Sequence, residues 1–139
     1  MFELTSHDRE LVDVAKNTMS KFYRDKKHHV AAALRTKSGR IFTGVNLETS
    51  VGRMSVCAES IAIGKAIMEE GEAFDLIVAV RHPKPGGQEQ EISVVPPCGI
   101  CREVLTDFYP DTFVIVPVDG TLKKFQVSDL LPYKYVRAQ

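Results

Sequence analysis

Three thiols and one carboxylate carry the chemistry that this sequence offers. Cys57, Cys98 and Cys101 are the only cysteines among 139 residues, and an odd count makes a poor disulfide framework. A Cys-x-x-Cys pair with a third thiol about forty residues upstream has the spacing of metal ligands, and soft sulfur donors point to zinc. Both motifs, Cys57-Ala58-Glu59 and Pro97-Cys98-Gly99-Ile100-Cys101, stand where helical periodicity begins. The thiols are therefore expected at helix N-termini, whose positive dipole end favours thiolate. Three protein ligands leave a fourth position for water, the mark of a catalytic zinc. Glu59, two residues after the first ligand, can reach over that water without binding the metal and act as general acid and base. Three thiolates overcompensate a 2+ ion and weaken it as a Lewis acid. Helix dipoles and Arg102, beside the third ligand, are expected to offset the excess. The competing reading of three buried core thiols and a Glu59 that merely stabilises a first helical turn leaves the shared spacing without a reason.

The elements that must position these groups follow from periodicity. Ser6 is expected to cap a first helix running to about Asp25, with Leu11, Ala15, Met19 and Phe22 on its buried face and Lys26 and Lys27 placed to suit its C-terminal dipole. Residues 29–36 and 40–46 read as a hairpin turning at Ser38-Gly39. After a loop over 47–56, the run from Cys57 to Glu70 is helical and nearly all apolar, so it is expected to be buried on most sides. Residues 74–81 read as a central strand and 82–91 (HPKPGGQEQE) as a surface loop. Ile92 to Val95 reads as a short extended piece. A third helix follows from about Gly99 to Tyr109 with Ile100, Val104, Leu105 and Phe108 on one face, then strands over 112–118 and 121–127, with Ser128 capping a final turn. A hairpin followed by alternating helices and strands predicts a mixed sheet with helices on both faces, in one domain over 1–139.

Eighteen basic and eighteen acidic residues cancel, which argues against nucleic acid as the main partner. No window approaches eighteen uncharged apolar residues, and the first residues lack the basic flank and apolar run of a signal peptide, so no membrane span is predicted and the cytoplasm is the expected compartment.

The pattern Cys-x-Glu … Pro-Cys-x-x-Cys, taken with Gly44-Val45-Asn46-Leu47-Glu48, the eleven residues from Asn46 to Cys57, and Leu130-Leu131-Pro132, resembles the small zinc-dependent cytidine deaminases, from about His29 to Tyr135. The resemblance implies a three-layer α/β/α fold with a five-stranded mixed sheet, one Zn2+ per subunit, and a cytoplasmic homotetramer serving pyrimidine salvage. It implies hydrolytic deamination of cytidine or deoxycytidine to the uridine product and ammonia. On this chain Cys57, Cys98 and Cys101 would hold the metal, and Glu59 would shuttle protons between the activated water, ring N3 and the leaving ammonia. Asn46 and Glu48 would hold the ribose hydroxyls, a match for groups that both donate and accept. Ala58 would line the substrate, and Tyr135 falls where the family often has an aromatic residue near the base, contributed by a neighbouring subunit.

Three departures mark the chain. Ser60 stands where the family has Arg after Cys-Ala-Glu, Gly52-Arg53 occupies a region that is usually aromatic, and His28-His29-Val30-Ala31 replaces Phe-Pro-Val-Gly. The runs Val30–Leu34 and Gly39–Asn46 also resemble blasticidin S deaminase, so a modified cytosine nucleoside is the alternative substrate. A zinc-stabilised binding protein without turnover is the alternative from another class, and Glu59 argues against it, because a purely structural site needs no proton shuttle.

Overall fold

The computed structural model describes residues 1–71, 73–88 and 90–138. Among these, seven strands and three helices follow the order β1 (Phe2–Glu3), α1 (Ser6–Phe22), β2 (Val30–Thr36), β3 (Ile41–Val45), α2 (Ala58–Glu69), β4 (Phe74–Arg81), β5 (Ser93–Val95), α3 (Gly99–Phe108), β6 (Phe113–Val118) and β7 (Thr121–Gln126). The strands form one sheet in the order β1-β7-β6-β4-β2-β3, with β5 also paired to β4. Only β4 and β6 run parallel; every other pairing is antiparallel. The sheet is mixed, as expected, but has seven strands rather than five. The two extra strands are a two-residue N-terminal piece on β7 and the Ser93–Val95 segment on β4, too short to carry an alternating pattern of their own.

Alternation along β2 sorts the core into two layers. Ala31 and Ala33 face α1 with Leu76, Val78, Val80 and Ile115, against Leu11, Ala15 and Met19. Ala32 and Leu34 face the other way with Phe42, Ile77, Ala79, Val114 and Val116, against Ala58, Ala62 and Ala66 of α2 and Leu105 of α3. Small residues on α2 let it lie close to the sheet. At Gly44 the approach is closest: a Cβ there would stand 2.7 Å from the Ala58 carbonyl oxygen and 2.8 Å from the Ala62 nitrogen, which explains the glycine in the strand.

Several local expectations change. Thr5, not Ser6, caps α1: its hydroxyl accepts from the Asp8 amide and the Asp8 carboxylate accepts from the Thr5 amide, a reciprocal capping box. The helix ends at Phe22, because residues 24–28 close a tight turn with Lys26 in the left-handed region at φ 60°, so Lys26 and Lys27 lie beyond the helix. Met68 on α2 is 86% exposed, and Ile100 and Phe108 on α3 are exposed as well; both helices bury one face only. Ser128 lies inside the last 3-10 turn, Val127–Leu130, whose cap position is Gln126. Of the loop 82–91, Glu89 lies outside the described residues.

Candidate metal centre and cleft

Cys57 and Cys98 occupy the N-cap positions of α2 and α3, and Cys101 sits buried in the first turn of α3. The two helix starts converge, so residues far apart in sequence bring three sulfurs within 4.8 Å of one another. The Cys57 and Cys98 sulfurs are 3.5 Å apart, and those of Cys98 and Cys101 are 3.6 Å apart. Regular tetrahedral coordination at a Zn–S length near 2.3 Å requires sulfurs about 3.8 Å apart. The donor set therefore fits zinc in chemistry and in spacing.

The thiols do not ionise together unaided. Burial pushes the Cys57 thiol up to about 11, with the Cys98 sulfur adding to the effect, and burial together with the neighbouring Glu59, Cys57 and Cys98 pushes Cys101 up further. The expectation that helix N-termini favour thiolate holds for Cys98 alone. Burial raises that thiol too, but the Cys101 amide, the two neighbouring thiols and the Ile100 amide outweigh it and hold it below its ordinary value. A bound cation is what would let all three carry charge at once.

Glu59, in the first turn of α2, is 5% exposed. Burial raises its carboxyl above the usual value, against hydrogen bonds from its own amide and the Cys101 thiol. It lines a cleft of about 300 Å³ together with Cys57, Ala58, Cys98, Asn46 and Glu48. Asn46 is 8% exposed. Its Oδ1 accepts from the His29 and Val30 amides at 2.7 and 3.0 Å, and its Nδ2 stands 3.2 Å from His29 Nδ1. That carbonyl is fully used, so the side chain can offer an incoming group an N–H but no further acceptor. Glu48 is exposed on the rim, and its amide donates to the Lys27 carbonyl.

The structure brings Glu59, Cys57, Cys98, Asn46, Glu48 and Ala58 to one cleft, with Cys101 beneath. It does not bring Tyr135 there: that side chain is 84% exposed beside Lys134 and Asp107, on a different part of the same chain. Among the described residues Arg102 makes no hydrogen bond to a sulfur. Its Nε donates to the Pro97 carbonyl at 2.9 Å and its Nη1 to the Leu130 carbonyl at 3.1 Å, so it clamps the loop that presents Cys98. The cleft also contains His29, Ser55, Val56, Val95 and Pro96. Of these, His29 and Ser55 carry polar side chains; the Ser55 hydroxyl accepts from the Thr49 amide, and the sequence marks His29 only by its place in the departure from Phe-Pro-Val-Gly.

Comparison with known proteins agrees with this arrangement. Residues 5–116 match the family model described as the cytidine and deoxycytidylate deaminase zinc-binding region. Blasticidin-S deaminase of Bacillus cereus is 47% identical over 136 residues, covering 98% of this chain and 97% of that protein. A cytidine deaminase of Halalkalibacterium halodurans is 34% identical over 108 residues, 76% of each chain. Among solved structures, cytidine deaminase from Burkholderia pseudomallei superposes with a TM-score of 0.71 at 29% identity, covering 95% of this chain and all of that one.

Proposed function

We propose, since the chain belongs to the cytidine and deoxycytidylate deaminase zinc-binding family, that it hydrolyses the C4 amino group of a cytosine nucleoside, cytidine or deoxycytidine, to give the uracil nucleoside and ammonia. One observation carries this reading: three sulfurs gathered at two helix starts, with a buried carboxylate beside them on the wall of one cleft.

Zinc held by Cys57, Cys98 and Cys101 would lower the pKa of water at its open position and so supply the nucleophile. The remaining work falls to the chain itself. Glu59 takes a proton from the attacking water and delivers it to ring N3, then takes the proton of the new C4 hydroxyl and delivers it to the departing amino nitrogen as the C4–N4 bond breaks and the C4 carbonyl forms. Its raised affinity for protons suits a group that must accept and release one in each cycle. Asn46, held by two backbone amides, presents an N–H to a sugar hydroxyl, and the Glu48 carboxylate accepts from one. Ala58 gives the cleft an apolar surface beside the base. Arg102 fixes the Pro97-Cys98 loop against the Leu130 turn, so its contribution is to hold a ligand in place.

The same reading covers the assembly and setting. The chain forms one domain over 1–139 and a homotetramer. Large apolar side chains that stand exposed on the single chain, among them Met54, Met68, Ile100, Tyr133, Tyr135 and Val136, support burial against further copies, and Tyr135 then faces a neighbour's cleft. Among the described residues no helix is long and apolar enough to cross a membrane, and three thiol ligands suit a reducing cytoplasm.

A second reading is favoured by the full-length 47% identity to a blasticidin-S deaminase: the substrate is a modified cytosine nucleoside of that kind. A panel of cytidine, deoxycytidine and blasticidin S, followed by the ultraviolet change on deamination and by ammonia release, tests both. Turnover of cytidine supports the first reading, turnover confined to blasticidin S the second. Release of ammonia from none of them rejects the enzyme.

A further inference from the structure

The hydrogen bonds of Asn46 can be followed group by group. Its backbone amide donates to the Val30 carbonyl at 3.0 Å, and its backbone carbonyl lies 2.7 Å from His28 Nδ1. Its side-chain oxygen accepts from the His29 and Val30 amides, which fixes which end of the side-chain amide is oxygen and which is nitrogen. The nitrogen, Nδ2, then stands 3.2 Å from His29 Nδ1. An amide nitrogen donates two protons and accepts none. One proton of Nδ2 goes to His29, and among the described residues none takes the other.

Two neighbouring rings therefore carry opposite tautomers. A carbonyl oxygen only accepts, so His28 holds its proton on Nδ1. His29 Nδ1 faces an N–H, so it is a bare lone pair and the ring proton sits on Nε2. The Nδ1 atoms of His82 and His7 face oxygen, the Pro83 carbonyl and the Glu10 carboxylate, which leaves His29 as the one histidine of four whose Nδ1 meets a donor. The backbone bonds of residue 29 need no imidazole: its amide donates to Asn46 and its carbonyl accepts from the His82 amide whatever the side chain. What the ring adds is the acceptor for Nδ2. Two bonds to Oδ1 hold a point, and Nδ2 can still swing about the line from Cβ to Oδ1; a third bond, at Nδ2, fixes the plane. His29 is half-buried and lines the cleft with Asn46 and Glu48. We propose that His29 is the positioning residue of the sugar contact: neutral, with its proton on Nε2, it fixes the plane of the Asn46 amide so that the one free N–H meets a hydroxyl oxygen on C2′ or C3′ of the nucleoside. This rests on the deaminase reading above and adds to it the residue that sets its sugar selectivity.

Long-range proton–nitrogen NMR correlation on histidine-labelled protein at mildly alkaline pH reads the tautomers, with single replacements by Gln assigning each ring. His29 should show the Nε2–H form, and His28 and His82 the Nδ1–H form; a His29 ring protonated on Nδ1 overturns the proposal. Kinetics then separate positioning from a structural role. Asn places an oxygen where Nδ1 stands, whereas Gln reaches to the Nε2 position. His29→Ala and His29→Gln should raise KM for cytidine about tenfold, the size of one hydrogen bond, with kcat within about twofold, and His29→Asn should restore KM to within about threefold of wild type. Whichever of 2′-deoxycytidine and 3′-deoxycytidine lacks the contacted oxygen should show the raised KM already in the wild type, and His29→Ala should add nothing further. If His29→Ala raises KM equally for all three nucleosides, or His29→Asn is no better than His29→Gln, the role of His29 is rejected while the deaminase stands. If turnover is confined to blasticidin S, KM on that nucleoside reads the same order of variants, and no difference among them overturns the proposal. If no nucleoside is deaminated, the deaminase reading fails, and calorimetric titration with cytidine decides: binding weakened in His29→Ala and His29→Gln and restored in His29→Asn supports the role, and equal binding by all, or none by the wild type, overturns it.

Discussion

Gly44→Ala is a small change that the packing of α2 makes large. The added Cβ would meet the Ala58 oxygen at 2.7 Å, the Ala62 nitrogen at 2.8 Å and the Ile61 Cβ at 2.9 Å. Carbon needs about 3.5 Å to such atoms, so β3 and the start of α2 must part by roughly 0.5–1 Å, and two of the three obstacles are backbone that cannot rotate away. Overpacking of this kind costs about 1–3 kcal/mol. The functional cost is separate, because Ala58 lies between Cys57 and Glu59: moving it moves the proposed ligand and the proposed proton carrier together. A displacement near 1 Å at reacting groups costs about a hundredfold. The variant is expected to lose about 2 kcal/mol in urea denaturation, and between tenfold and a hundredfold in kcat/KM on the preferred nucleoside. Gly64→Ala, on the same helix with nothing within 4 Å of its added Cβ, is the control and should be neutral or stabilising by up to about 1 kcal/mol. If Gly44→Ala matches the wild type in stability and turnover, the close seating of α2 on β3 does not position the site and the reasoning is wrong.

Three further outcomes are expected. Glu59→Gln should lower kcat by about 10²–10⁴-fold and keep one zinc per chain by elemental analysis; retained turnover would show that another group carries the protons. Asp8 is buried and accepts from Arg35, Lys124 and the Thr5 amide, which together overcome burial and hold its carboxyl well below the usual range. Its contribution to stability is therefore complete above the unfolded carboxylate value near 3.9 and disappears as pH falls through and below it. Asp8→Asn should cost about 3 kcal/mol at pH 7, with the gap to wild type narrowing towards pH 2, measured by denaturation midpoints across that range. Arg102→Ala removes hydrogen bonds to the Pro97 and Leu130 carbonyls and should cost about 1–3 kcal/mol. It should also speed zinc release to a chelator, whereas an unchanged release rate would separate Arg102 from the metal loop.

The parts legible in the sequence were those with a local signature. Helical spacing at Leu11, Ala15 and Met19 located α1, although Phe22, expected on the same buried face, is exposed at the helix end, and the apolar run of β4 placed it correctly at the centre of the sheet. The three cysteines were legible because the metal requires them to meet, whichever way the chain runs between. Most of what escaped depends on partners distant along the chain, the cap of α1 excepted. Thr5 displaced Ser6 as the cap because Asp8 answers it three residues on. Ile100 and Phe108 fit a helical face but lie off the stripe that Cys101 and Leu105 bury. Arg102 stands beside a ligand in sequence, yet the nearest acceptors for its guanidinium are carbonyls. A second recess, lined by Asp25, Glu48 and Lys84 among others, has no sequence signature, since these residues share no spacing and meet only because β2 begins where β3 and β4 end.

X-ray absorption at the zinc edge of the purified protein tests the central claim most directly. One zinc per chain, with three sulfurs near 2.3 Å and a single lighter atom near 2.0 Å, is the predicted result. A shell of four protein ligands, or a protein that holds no zinc although its three thiols are reduced, would contradict it.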